Sequence, residues 1–307
     1  MRVFVTGASG WIGSAVVPEL LAAGHQVAGL ARSDDSAAAL TAAGADVVRG
    51  SLDDTDMLRR AAAEADGVIH LAFRHDVAFT GGFAAAARSD RAAVEAFGDA
   101  LAGSDRPLVV ASGTPAAPGT VTTERDGHDI DPDADLTDNP AQARGANAEF
   151  TLRLADRGVR SSVLRLPRTV HGDGDQGFVA MLIATARAKG VSGYIGDGSQ
   201  RWPAVHRLDA ARLARLGLEH APAGSPLHAI GDDGVPLREI AEVIGRHLDL
   251  PTASVDPADA AEHFGWLSMI ASLDQPSSAT LTRELLDWRP EQPGLIEDLD
   301  KGHYFTT

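Results

Sequence analysis

Gly7, Gly10 and Gly13 stand three residues apart in TGASGWIG, after the apolar run RVFV and at the head of WIGSAVVPELLAAG. Glycines spaced this way between a strand and a helix suit one kind of chemistry, the holding of an anion. Gly7 permits a tight turn, Gly10 lets backbone approach a pyrophosphate with no Cβ in the way, and Gly13 lets the helix pack closely on the strand. Phosphates would then meet the unpaired amides and positive dipole of a helix N-terminus. Ser9, Trp11 and Ile12 complete the cradle expected of this loop. At the end of the second apolar run stands Arg32, followed by Ser33. A free ribose 2′-hydroxyl is commonly met by an acid near this point, whereas a 2′-phosphate suits the arginine fork. The pattern predicts a dinucleotide site with NADP preferred to NAD.

The elements that must position these residues follow from hydrophobic patterning. RVFVTG, HQVAGLAR, ADVVRG, GVIHLAF and PLVVASG read as strands, and VRSSVLRLP and PLHAIG as later ones. Helical segments alternate with them: WIGSAVVPELLAAG, SAAALTAAG, DDTDMLRRAAAEA with Asp53 or Asp54 as its cap, and RSDRAAVEAFGDALAG. This alternation predicts an α/β protein with a Rossmann-type, doubly wound parallel sheet. APGTVTTERDGHDIDPDADLTDNP, acidic and rich in Pro and Gly, reads as a surface loop, and AQARGANAEF after it as a helix. Beyond residue 168 the rhythm changes. HGDGDQG, GDGSQRWP and GDDGVP read as turns between the helices VAMLIATARAK, LDAARLARLGLEHA and LREIAEVIGRHL. The expected division is a nucleotide domain over 1–168, with returns to the sheet near 205–232, and a smaller interleaved substrate domain over most of 169–307.

Composition bounds the rest. A chain of 307 residues can bury a large core. Its 27 Lys and Arg against 43 Asp and Glu give a net charge of −16, which repels a phosphate backbone and argues against nucleic-acid binding. No apolar run reaches the roughly 18 residues of a membrane span, and the chain opens on a strand with no signal segment ahead of it. With zero cysteines there is no thiolate nucleophile or disulfide framework, and the histidines show no metal-ligand spacing. A cytoplasmic protein, monomer or homodimer, with a small-molecule partner is expected.

In this order the motifs resemble the extended short-chain dehydrogenase/reductase superfamily, also called the NAD-dependent epimerase/dehydratase family. The resemblance rests on TGASGWIG, SLDD at 51–54, IHLAF at 69–73, VVASGT at 109–114, LRLPRTVHGDGD and WPAVHRLDAA, and spans nearly the whole chain. It implies that Leu52 and Asp53 lie near the adenine and that Leu71, Ala72 and Phe73 border the nicotinamide. It also implies a Tyr-x-x-x-Lys pair as the proton machinery. Here the chain departs: aligned on Glu149, the tyrosine position holds Ala141 and the lysine position Gly145. Neither Tyr194 nor Tyr304 has a lysine four residues later, and the chain holds only Lys189 and Lys301.

Other groups must then do the chemistry. Thr114 and Ser112, after the fifth strand, can hydrogen-bond a carbonyl oxygen. His75, beside Asp76 after the fourth strand, can carry a proton. His171 and Tyr194 are further candidates in the presumed substrate region. His70, inside an apolar strand, reads as a satisfied core residue. Arg165, Arg168, Arg201, His206 and Arg207 frame the same region by resemblance, as anion holders or as structural partners of the many acids. The expected function is reduction of a carbonyl, C=N or C=C bond of a small organic molecule by NADPH. The alternatives are a sugar-nucleotide epimerase or dehydratase and a non-catalytic NADP-binding regulatory protein.

Overall fold

A computed structural model describes residues 1–127, 130–134 and 140–306. Twelve strands occur among them: β1 (Arg2–Thr6), β2 (Gln26–Ala31), β3 (Asp46–Arg49), β4 (Gly67–His70), β5 (Pro107–Gly113), β6 (Arg160–Leu166), β7 (Thr169–His171), β8 (Ser192–Ile195), β9 (Arg201–His206), β10 (Ser225–His228), β11 (Asp232–Pro236) and β12 (Thr252–Val255). The main helices are α1 (Gly13–Ala22), α2 (Asp34–Ala42), α3 (Thr55–Ala63), the one-turn α4 (His75–Val77), α5 (Phe83–Leu101), α6 (Pro140–Arg153), α7 (Phe178–Lys189), α8 (Arg207–His220) and α9 (Leu237–Leu248).

Seven strands form one parallel sheet in the order β3-β2-β1-β4-β5-β6-β10. Alternate residues of each strand feed opposite layers, as the two-residue period requires. Val3 and Val5 join the core under α1 and α8, while Phe4 joins the core under α3, α5 and α6. Burial on both faces explains the near-continuous apolar runs. All seven strands correspond to the runs expected from sequence, and the fold is the Rossmann-like α/β architecture predicted.

The C-terminal third holds a third core and two small sheets, β11-β9-β7 and β12-β8. Segments read as turns here carry strands. Those strands are short, and β11 pairs with β9 across an irregularity between Asp232 and Val235, so no apolar alternation reveals them. Helix α5 starts at Phe83, five residues before the expected Arg88, because FAAAAR continues it. The middle loop departs from expectation as well. Thr122 and Glu124 are buried, Thr122 bridges to Ser277, and the Glu124 carboxylate accepts from the Thr282 amide at 2.6 Å. Residues 128–129 and 135–139 of that loop lie outside the described residues.

A buried relay ties the sheet to its helices. The Ala72 amide donates to Thr6 Oγ1 (3.3 Å), Thr6 Oγ1 meets His70 Nδ1 (2.6 Å), and His70 Nε2 meets Asp90 Oδ1 (3.2 Å). Asn147 Nδ2 donates to the other Asp90 oxygen (2.7 Å) and to the Ala87 carbonyl (2.9 Å). One tautomer satisfies the chain: Thr6 donates to Nδ1 and Nε2–H donates to Asp90. His70 is thus the satisfied core residue expected. Burial raises the Asp90 carboxyl, but His70, Arg144 and Asn147 together outweigh it and hold it below the ordinary 3.8.

Asp90→Asn should therefore destabilise the fold by about 3 kcal/mol, because one amide N–H then faces a donor inside the core. A folded-state pKa below the unfolded value means this stabilisation is present above pH 3.8 and is lost as pH falls through the folded value. Urea unfolding against pH should show that acid limb flattened in the variant. Equal stability of both proteins at pH 7 would refute the relay's role.

Candidate active site

The glycine turn meets the steric demands of the motif. Gly7 has φ +66°, and a Cβ there would lie 2.7 Å from the Ala72 amide nitrogen. A Cβ at Gly13 would lie 2.1 Å from the Gly7 carbonyl oxygen, and one at Gly10 3.1 Å from the same atom. The turn is closed by Gly10 N–H to the Gly7 carbonyl (2.9 Å). Helix α1 has no side-chain cap and no acid in its first turn, so its positive end is open to an anion. Ser9 and Gly10 are exposed, and Ile12 and Trp11 are half-buried. The Trp11 indole donates to the Val170 carbonyl (2.8 Å) and lies under the Arg207 guanidinium, 4.4 Å from the ring centroid. A cradle that a Cβ would fill, at a helix N-terminus, fits a pyrophosphate.

To one side, Arg32 follows β2, and Ser33 caps α2 by accepting from the Ser36 amide (3.2 Å). Arg32 is exposed and pairs with Asp76 (3.1 Å), and its guanidinium holds the Asp76 carboxyl below the usual range. Leu52 is buried in the α3 and α5 core. Asp53 is exposed and takes Arg74 (3.0 Å) and the Ser89 hydroxyl (2.8 Å), while Asp54 is the residue that caps α3. Two ion pairs, Arg32–Asp76 and Arg74–Asp53, thus pin the segment after β4.

To the other side lie the carboxyl ends of β4 and β5, where open α/β sheets bind ligands. Leu71, Ala72 and Phe73 leave β4 half-buried. Phe73 meets the His75 ring edge-on at 5.2 Å. His75 is surface-exposed, and its pKa is lowered by partial burial and by the charge of Arg144, against an upward pull from Asp76. Ser112 is buried in β5 opposite Arg165. Thr114 follows β5, half-buried, with its amide on the Leu166 carbonyl (3.1 Å).

Helix α6 brings one residue here that sequence reasoning passed over. The Arg144 guanidinium stacks on the Phe73 ring at 4.2 Å, and its Nη2 reaches the Ala111 carbonyl of β5 at 3.5 Å. Burial lowers its pKa, against the charge of Asp90. The only signal in the sequence is its place three residues after Ala141, on the same helical face. Gly145, Ala146 and Ala148 are buried, and these small residues let α6 lie close against the alanines of α5.

The remaining candidates are held elsewhere. His171 is fully buried in β7, with Nδ1 on Asp298 (2.9 Å) and its ring 5.3 Å from that of His206. Tyr194 lies in β8, its ring beneath Arg238 at 4.9 Å. The framing arginines have structural partners. Arg165 donates to the Asp126 carbonyl (2.7 Å) and pairs with Glu149 (3.5 Å). Arg168 donates to the Ile270 carbonyl and Gln275, its pKa pushed down to about 10 by burial, and Arg201 pairs with Asp274. Among the described residues no group of three His, Asp or Glu could hold a metal ion, and no helix is long and apolar enough to cross a membrane.

The model of the NAD dependent epimerase/dehydratase family matches residues 3–230. An uncharacterized protein of Schizosaccharomyces pombe is 46% identical over 99% of this chain and 100% of its own. The 2′-dehydrokanamycin reductase of Streptomyces kanamyceticus is 31% identical over 85% of this chain and 71% of its own. Among solved structures, the UDP-glucose 4-epimerase of Thermotoga maritima with UDP-glucose shares the fold, with a TM-score of 0.75 at 19% identity over 99% and 98% of the two chains. A glycine cradle at the head of a seven-stranded parallel sheet and a match over most of the chain converge: the protein belongs to the NAD-dependent epimerase/dehydratase family.

Proposed function

We propose that the protein is an NADPH-dependent reductase acting on a carbonyl, or an activated C=N or C=C bond, of a small organic molecule. The observation that carries the reading is the packing of the glycine turn against the carboxyl end of β4, with a Gly7 Cβ excluded by the Ala72 amide. One edge of the sheet can thereby serve a dinucleotide and a substrate together. The likeness to a reductase at 31% identity supports the direction of the reaction. So does the want of any tyrosine with a lysine four residues on, since epimerases and dehydratases must begin with an oxidation that needs a strong base.

In this reading Gly7, Ser9, Gly10, Trp11, Ile12 and Gly13 receive the pyrophosphate, and Leu52, Asp53, Leu71, Ala72 and Phe73 border the rest of the dinucleotide. Arg32 and Ser33 receive the 2′-phosphate, with Arg32 exchanging Asp76 for it. NADPH, when bound, supplies the hydride. The protein supplies position and polarisation: Thr114 donates its hydroxyl to the substrate oxygen, and His75 or solvent returns the proton. Ser112, His171 and Tyr194 are secondary candidates. Ser112 is buried in β5, His171 is engaged with Asp298, and Tyr194 is packed against Arg238.

Arg32→Ala should weaken NADPH binding at least tenfold, about 1.4 kcal/mol, and leave NADH affinity within twofold. Equal losses for both cofactors in a fluorescence titration would remove Arg32 as the 2′-phosphate contact.

Steady NADPH oxidation is expected with a panel of ketones, imines and enones. Redox-neutral conversion of a nucleotide sugar would instead make the protein an epimerase, and binding without turnover a regulatory protein. His75→Ala and Thr114→Ala should each lose at least tenfold in turnover with cofactor affinity held. Unchanged rates would take those residues out of the mechanism.

A further inference from the structure

Hydride transfer to a carbonyl carbon moves the π pair onto oxygen, so the site needs positive charge where that oxygen comes to rest. At the carboxyl edge over β4 and β5 most charged groups are already engaged. Arg74 is bound to Asp53, Arg32 to Asp76 and Glu149 to Arg165. Both oxygens of the buried Asp90 are taken, by His70 and by Asn147.

Arg144 differs from these. A guanidinium carries five N–H donors. Among the described residues the only hydrogen bond of Arg144 is the long one from Nη2 to the Ala111 carbonyl (3.5 Å), and its buried Nε has no partner. Asp90 acts on it through charge alone. The Phe73 ring under the guanidinium and the β5 backbone at its edge fix the plane of the group. The fold thus holds a half-buried cation, its buried Nε without a partner among the described residues, between the ends of β4 and β5, the strands that lead into Phe73 and Thr114.

Resting on the reductase reading above, we propose that Arg144 is a catalytic residue, the electrophile that binds the substrate oxygen as it gains charge. NADPH, when bound, would supply the hydride, a hydrogen with its bonding electron pair, to the substrate carbon. The C=O π pair becomes an alkoxide on the guanidinium, and the alkoxide takes a proton from solvent, which reaches the site at the exposed Gly113 and His75. The products are the alcohol and NADP⁺. The Arg144 proton is retained throughout, and Thr114 offers a second hydrogen bond to the same oxygen.

Removing one donor of this kind costs about 10²–10³ in turnover. Arg144→Gln should lower kcat/KM at least 100-fold while NADPH affinity, read by fluorescence, stays within threefold. Arg144→Lys, keeping the charge, should recover at least tenfold of that loss. Acetate serves as the oxyanion probe: saturation-transfer NMR on the NADP⁺ complex should show it bound to the wild type and not to Arg144→Gln. Turnover of Arg144→Gln within threefold of wild type would sink the proposal, as would an NADPH affinity that falls in step with kcat/KM, the mark of a cofactor holder. Should Arg144→Gln not fold, a crystal structure of the wild type with NADP⁺ and acetate decides. A carboxylate oxygen on the guanidinium supports the proposal, and a guanidinium bonded to ribose hydroxyls or Asp90 overturns it. If no carbonyl compound is reduced but acetate binds through Arg144, the reductase reading fails and the oxyanion site stands.

Discussion

The Asp90 carboxylate, buried between His70 and Asn147, is the interaction on which the carboxyl edge of the sheet depends. A lone buried charge would cost several kcal/mol, and only fixed donors on every side make it tolerable. Those donors come from β4 and α6, while the carboxylate comes from α5, so the penalty for moving any one of the three is the penalty of exposing that charge to apolar core. The relay continues through Thr6 to the Ala72 amide, the same amide that a Cβ at Gly7 would strike. The glycine turn and the helix bearing Arg144 are therefore held at fixed separation by one line of hydrogen bonds.

The C-terminal unit is coupled to the same edge by a different device. Trp11, inside the glycine turn, donates to the Val170 carbonyl and lies under Arg207 at the start of α8. Helix α8 packs on α1, and β10 after it completes the large sheet beside β6. His171, next to Val170, is held by Asp298, whose carboxylate also meets His303. A shift of the helix Leu295–Asp300 would thus reach the glycine turn through His171 and Val170 of β7 and one indole.

What the sequence disclosed and what it withheld divide along physical lines. The seven strands of the large sheet were legible because burial on both faces demands unbroken apolar runs, as in PLVVASG and SSVLRL. The glycine cradle was legible because its spacing is a steric requirement with few substitutes. Strands such as Asp232–Pro236 were not, since a short strand containing Asp and Gly has the composition of a turn and is specified by its partner β9. Glu124 was unreadable for the same reason: an acid in a Pro- and Gly-rich loop looks solvated until the Thr282 amide, far along the chain, is seen to bind it. Arg144 was hidden by its setting. On an alanine-rich helix an arginine resembles a surface charge, and nothing local announces that Phe73 and the β5 backbone lie against it.

The three arginines at this edge are held in different ways. Arg32 and Arg74 keep exposed ion pairs with Asp76 and Asp53. Such pairs are worth little in water, so an arriving phosphate can replace a carboxylate at small cost, and the segment after β4 is free to rearrange as it does so. Among the described residues Arg144 has no such carboxylate to exchange. Part of its desolvation has already been met by the folding of α6 onto α5 and the sheet, and its plane is set by Phe73. An oxygen that becomes negative beside it meets a partly dried charge without first turning a side chain, and a neutral oxygen gains much less. A cation held this way distinguishes the charged state of a substrate from its uncharged one. Exposed arginines on the same edge, screened and already paired, make that distinction only weakly.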